Sequence, residues 1–538
     1  MAAEAIFFGG PIHTQDQDRP SADAVAVANG RITAVGARHE VEAAAGPGTR
    51  RVDLGGATLI PGFIDAHAHI WKIGHLLTTM ADLRGVASIA ALGPVLRHAA
   101  ARLPTGAWLL GRGYNEARLA ERRPPTRHDL DRVTTDRPVA LTRTCGHIYA
   151  CNSVALALAG IDVGTPDPSG GIIDRDASGR PTGLIHETAM GLVMARIPAP
   201  TRDDYAAMVP AALRHQLSLG ITSTNDAGVA PALLDAYRWM DREDRLPSRV
   251  NVMALRKVDG VGVVPLPDRT VSDRLRIDTV KFLADGGLSG ATAALSIPYR
   301  HADTRGVLRF EDAELDALAG EAHRAGLRLA IHAIGDVTID QVLGCYERLA
   351  TGHRGFPPRA NGAPALVRPR IEHLGLPSQD QLARAARLGV AAVPQTVFLP
   401  ALGGNFRAYL PETLLARCYP VRSMLEAGLV VALSSDAPVV ENDDPLLGIK
   451  AAVDRRDGSG DPIAPHEAIS ATQALWAYTM GGAIASGDET NRGSITAGKW
   501  ADFAILDGDP LAVATEHLTT LRVRSTWVGG RLAYESTR

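Results

Sequence analysis

The chain has 538 residues, 46% of them hydrophobic and 21% charged, with a formal net charge of −3 at pH 7. That is the make-up of a globular protein with a large core, long enough for one large domain with appendages or for two to three smaller ones. No basic run is interleaved with aromatics, no apolar run approaches the ~18 residues of a membrane helix, and the start MAAEAIFFGGPIHTQD lacks the basic and apolar segments of a leader.

Four cysteines (Cys145, Cys151, Cys345, Cys418) form no C-x-x-C pair, so neither a disulfide framework nor a thiolate zinc site is expected. A reducing cytoplasm is the expected setting. A small molecule is the expected partner, with neither nucleic acid nor membrane, and a homodimer is the default oligomer.

In chain order, residues 4–60 read as short strands (AIFFGGPIHT, AVAVANGRITAVG, TRRVDLGGATLI) punctuated by Gly and Asn-Gly turns. The run LIPGFIDAHAHI (59–70) follows as a further strand. The stretch 72–200 breaks the pattern and reads as an inserted subdomain. From about 204 helix and strand alternate, with strands expected at 220–228, 249–255, 277–287, 327–336, 368–375, 389–396 and 429–438. The tail returns to strand, turn and strand in GSITAGKWADFAILD and LRVRSTWVGGRLAYE. Eight strands with helices between them are the inventory of an α/β fold of the (β/α)8 TIM-barrel type. The expected organisation is a barrel over 61–486 with 72–200 inserted after its first strand. Residues 1–60 and 487–538 are expected to form one small β-sandwich from both termini.

Polar residues recur where those strands end. Along PGFIDAHAHI, Asp65, His67 and His69 alternate onto one face. A lone H-x-H can hold a metal or be ordinary polar residues at a mouth. Lys281, His332, His373 and Asp436 end four further strands, however, and in this architecture all such ends open on one face. Of the 56 basic residues only five are lysines, and Lys281 falls in the apolar run DTVKFLADGG. A buried lysine there is either paired with Asp285 or Asp436, or is a neutral amine that can react with carbon dioxide to give a carbamate. Other signals fail. HETAM (186–190) has Met190 where a zinc-protease helix needs histidine, GSITAGKW offers Trp500 where a phosphate loop needs a hydroxyl, and no G-x-S-x-G occurs.

With PGFIDAHAHI, VKFLADGGLSGATAAL, IHAIGD, RIEHLGLP, SSDAPV, RTCGHIYACNSVAL and the tail from ALWAYTMGGAIASGDETN onward, the chain resembles the amidohydrolase superfamily, in its family 3 or YtcJ-like branch. The resemblance runs nearly end to end. It implies a hydrolase of C–N bonds (amide, N-acyl or N-formyl) working through metal-activated hydroxide. His67, His69 and Asp436 would hold a first Zn2+, His332 and His373 a second, and carboxylated Lys281 would bridge the two; some relatives use a single ion. Asp436 would double as the proton shuttle, and His147 would donate to or contact substrate, with Arg143 beside it and Glu187 as a contact within the insert. Relatives carry an arginine in the loop after the fourth strand where this chain has Ala291, so no contact of that kind is expected here. An esterase or metal-assisted isomerase on the same scaffold, and a non-catalytic metal or small-molecule binder, are the competing readings.

Overall fold

The computed structural model describes residues 2–116, 118–144, 146, 148–168, 171–258, 261–351 and 367–537. The chain divides into two compact units, Met1–Ile70 with Leu213–Arg538, and Trp71–Ala212.

The first unit contains the barrel. Its strands are β1 (Phe63–Ala68), β2 (Ile221–Val229), β3 (Arg249–Leu255), β4 (Leu275–Leu283), β5 (Arg328–Ala333), β6 (Arg370–His373), β7 (Ala391–Val393) and β8 (Val430–Val431). Each pairs in parallel with the next in chain order. The ring closes just past β8, where Ala66 N donates to Leu433 O (3.4 Å), Asp436 N to His67 O (2.7 Å) and His69 N to Ala437 O (2.8 Å). The fold is therefore an α/β barrel of the TIM type.

Most barrel strands are buried almost throughout, as a parallel sheet covered on both faces requires. The helices between them present apolar faces to this core, and Ser378 opens Gln379–Arg387 with a capping box to Gln381. At the closing seam, Gly481 and Gly482 let their helical segment lie against the sheet: a Cβ at the first would collide with Val431 O, and one at the second with Ile64.

All eight expected strands form, but β4 to β8 stop several residues short of the expected carboxyl ends. At β6 the reason is local: His373 and Leu374 have φ of 71° and 44°, left-handed values that take the chain out of the ladder.

Strands from the two ends of the chain meet in one further eight-stranded sheet, in which Thr58–Pro61 pairs antiparallel with Phe503–Leu506. Apolar residues such as Phe7, Val25, Leu59, Phe503 and Trp527 form a cluster there. This sheet is pinned to the barrel by Arg249, at the start of β3. Arg249 forms a bidentate pair with Asp502 (2.6 and 2.9 Å), donates to Asp273 O and stacks over Trp500.

The second unit carries a six-stranded sheet in the order Gly171–Arg175, Pro181–Glu187, Ile148–Cys151, Val139–Arg143, Leu109–Tyr114 and Ala81–Asp82. The unit ends at Ala212, within helix Arg202–Ser218. Within the unit Arg143 forms an ion pair with Glu116 at 2.6 Å, and Glu187 is an exposed residue at a strand end with φ of 52°. His147 lies outside the described residues. Cys151, Cys345 and Cys418 are buried free thiols. Among the described residues no helix is long and apolar enough to cross a membrane.

Candidate metal centre

The carboxyl ends of the strands bring four imidazoles into a row. Ring centroids are 5.7 Å apart for His69 and His67, 5.0 Å for His67 and His373, and 4.4 Å for His373 and His332. Asp436 faces this row from just beyond β8, with Oδ1 3.1 Å from His69 Nε2 and 3.5 Å from His67 Nε2. The ligand atoms of His67, His69 and Asp436 all lie within 4.8 Å of one another.

Hydrogen bonds fix which nitrogen of each ring is open. His69 Nδ1 lies 2.7 Å from Ala227 O, and His67 Nδ1 lies 2.5 Å from Glu372 Oε2. Both partners accept only, so both Nδ1 atoms carry hydrogen and both Nε2 lone pairs are left to face Asp436. Gln395 fixes His373 likewise: its NH2 group donates to Val393 O and Ser434 Oγ, which turns its Oε1 toward His373 Nδ1 at 2.6 Å. His332 is reversed. Its Nε2 lies 3.1 Å from both Gly286 O and Asp285 Oδ1, which leaves Nδ1 as the open nitrogen.

Asp436 Oδ1 is buried yet has no hydrogen-bond partner. With both Nε2 atoms unprotonated, three electron-pair donors converge from His67, His69 and Asp436, and a cation among them would satisfy all three. The donor set of imidazole nitrogen and carboxylate oxygen fits a divalent metal ion.

The protonation preferences agree. Burial, reinforced by Lys281, lowers the affinity of the His67 imidazole for a proton, and burial with His332 does the same for His373. Burial opposes charge on Asp436, but the imidazoles of His67 and His69 outweigh it and hold the carboxyl well below its usual range. Lys281 is 1% exposed and its Nζ makes no hydrogen bond. Burial brings its ammonium down to about 8, against the opposing pull of Glu372 and Asp436. The pairing with Asp285 does not form, because Asp285 accepts from Ala294 N, Ile334 N, Gly335 N and Thr338 Oγ1.

Asp65, which alternation places on the face of His67 and His69, is turned to the backbone. It accepts from His67 N, Ser435 N and Ser435 Oγ, and so ties β1 to the segment that carries Asp436. Three residues that sequence reasoning passed over, Arg370, Glu372 and Gln395, prove central to the site. A signal for two of them existed: Arg370 and Glu372 are charges inside a buried strand, immediately before His373.

Residues 50–534 match the amidohydrolase family. The chain belongs to the amidohydrolase family. This amidohydrolase is 32% identical to YtcJ of Bacillus subtilis (strain 168), over 99% of each chain. It is 33% identical to an N-substituted formamide deformylase of Arthrobacter pascens, over 98% of this chain and 97% of that one. Among solved structures, an uncharacterized metal-dependent hydrolase of Pyrococcus horikoshii OT3 superposes with a TM-score of 0.78 at 29% identity, covering 95% of this chain and 99% of that one. The amidohydrolase is thus a hydrolase of the class that acts on C–N bonds.

Proposed function

We propose that this amidohydrolase is a zinc-dependent hydrolase of N-acyl or N-formyl amines. The observation that carries the reading is the convergence of His67 Nε2, His69 Nε2 and Asp436 Oδ1 within 4.8 Å, with no donor satisfying the carboxylate oxygen. The likeness to an N-substituted formamide deformylase supports the choice of bond.

His67, His69 and Asp436 would hold one ion. His332 through Nδ1 and His373 through Nε2 would hold another. Lys281 would serve both after its free amine adds to carbon dioxide, forming an N–C bond and releasing one proton to water. When bound, the metal supplies a Lewis acid that polarises a carbonyl and acidifies water.

The chain's own part is proton transfer and orientation. Asp436 takes a proton from the attacking water and delivers it to the departing nitrogen, so that the amine leaves neutral. His67, His69 and His373 keep fixed tautomers because each Nδ1–H is engaged.

Stripping metal with a chelator is expected to abolish release of amine from N-formyl and N-acyl amines, and Zn2+ to restore it. Amine release followed beside metal content checks this. Turnover that persists in metal-free protein would contradict the reading, and stoichiometric metal with no turnover across the panel would favour a binding protein instead.

A further inference from the structure

We propose that Arg370 and Glu372 are positioning residues that hold His67 in its ligating orientation and thereby set the metal affinity of the His67–His69–Asp436 group. The inference rests on the metal-centre reading above and goes beyond its set of ligands.

Of the four imidazoles, His67 has the anchor most heavily built. Glu372 is 0% exposed, and its Oε2 meets His67 Nδ1 at 2.5 Å. Such a carboxylate could swing to another partner, but Arg370 prevents it. The guanidinium of Arg370 grips both oxygens, Nε to Oε1 at 2.8 Å and one terminal nitrogen to Oε2 at 3.0 Å.

Arg370 is itself clamped from across the barrel. It donates to Ala66 O on β1 at 2.6 Å and to Asn225 Oδ1 on β2 at 2.9 Å. Asn225 donates in turn to Asp65 O and accepts from Ser486 Oγ at 3.0 Å. One planar fork on β6 thus fixes a carboxylate on its own strand while reading the backbone next to His67 on β1. Lysine, a point donor, could not make these contacts together.

A purely structural buttress would have no need to end on a ligand imidazole. This one does, at the nitrogen opposite the one that faces Asp436. A carboxylate behind a metal-binding imidazole fixes its tautomer and strengthens its lone pair. The Arg370 charge offsets that of Glu372, so the anchor adds no net charge to the centre.

The full-length protein is stripped of metal and titrated with Zn2+ against a competing chelator, and with Co2+ followed by its visible absorption. Glu372→Ala is expected to weaken the first equivalent about 10–100-fold and to alter the Co2+ spectrum of that equivalent. Glu372→Gln keeps an acceptor for Nδ1–H and should fall between Glu372→Ala and the unaltered protein. Gln395→Ala, which frees His373 instead, should spare the first equivalent and weaken the second. If Glu372→Ala fails to fold, Glu372→Gln decides alone: a weakened first equivalent supports the proposal. An unchanged first equivalent with an unchanged Co2+ spectrum, or a loss confined to the second equivalent, would overturn it. Failure of the unaltered protein to bind either ion would instead sink the metal-centre reading itself.

Discussion

Asp436→Asn is expected to lower kcat for amide hydrolysis by about 10²–10⁴-fold, the range that a positioned general acid–base group contributes. The substitution isolates charge and proton transfer from shape. Asparagine fills the same volume, and its amide oxygen can still face the ion that His67 and His69 would hold, with His69 Nε2 3.1 Å from the present Oδ1. The backbone that aims the side chain is untouched, with Asp436 N still donating to His67 O and Asp65 still clamping Ser435. Circular dichroism and thermal unfolding should therefore match the unaltered protein while turnover collapses. Steady-state kinetics with an N-formyl amine check this. Retention of kcat within about tenfold would remove Asp436 from the proton pathway.

The second large effect is on stability. Arg249→Ala should destabilise the protein by about 3–5 kcal/mol at neutral pH, because it strands the charge of a buried partner. Arg249 is 2% exposed and Asp502 6%, and beyond the bidentate contact between them the Asp502 carboxylate has, among the described residues, only Gly529 N as a further donor. The pair joins β3 to the sheet built from both chain ends, so its loss should loosen that junction first.

The pH dependence has a definite sign. Burial raises the Asp502 carboxyl, but Arg249 outweighs it and holds the group below its ordinary value of 3.8. The pair's stabilisation is then fully present above that ordinary value and is lost as pH falls through the depressed one. In Arg249→Ala burial is opposed only by Gly529 N and the Arg492 charge, so the gap between variant and unaltered protein should narrow as the solution is acidified. Denaturant midpoints at neutral and acid pH measure it. A variant within about 1 kcal/mol of the unaltered protein at neutral pH would show the junction to be held by other contacts.

Much of this molecule can be read in the letters, and where reading fails the cause is physical. The strands were legible because a parallel barrel buries both faces and writes apolar runs such as LAI and GVAAV. His67, His69, Lys281, His332, His373 and Asp436 were legible because each is a polar residue at the end of such a run. The end of β6 was not, since the left-handed values at His373 and Leu374 belong to residues with no turn signal in the sequence.

The anchors behind the ligands were also hidden. Glu372 meets His67 across 305 positions of sequence, and Gln395 meets His373 across a strand-to-strand step. Neither contact leaves a spacing that a motif could capture. Asp65 shows the opposite error: alternation placed it on the face of the histidines but could not say that two backbone N–H groups and the Ser435 hydroxyl would take up its oxygens.

The central claim is that groups scattered from His67 to Asp436 share one metal centre, and the most direct measurement is anomalous scattering at the zinc edge from crystals of Zn2+-loaded protein. The account predicts a peak bonded to His67 Nε2, His69 Nε2 and Asp436. It also predicts a second peak bonded to His332 Nδ1 and His373 Nε2, with density extending the Lys281 side chain between them. Zinc bound elsewhere, with His67 and His69 remote from it, would contradict the account.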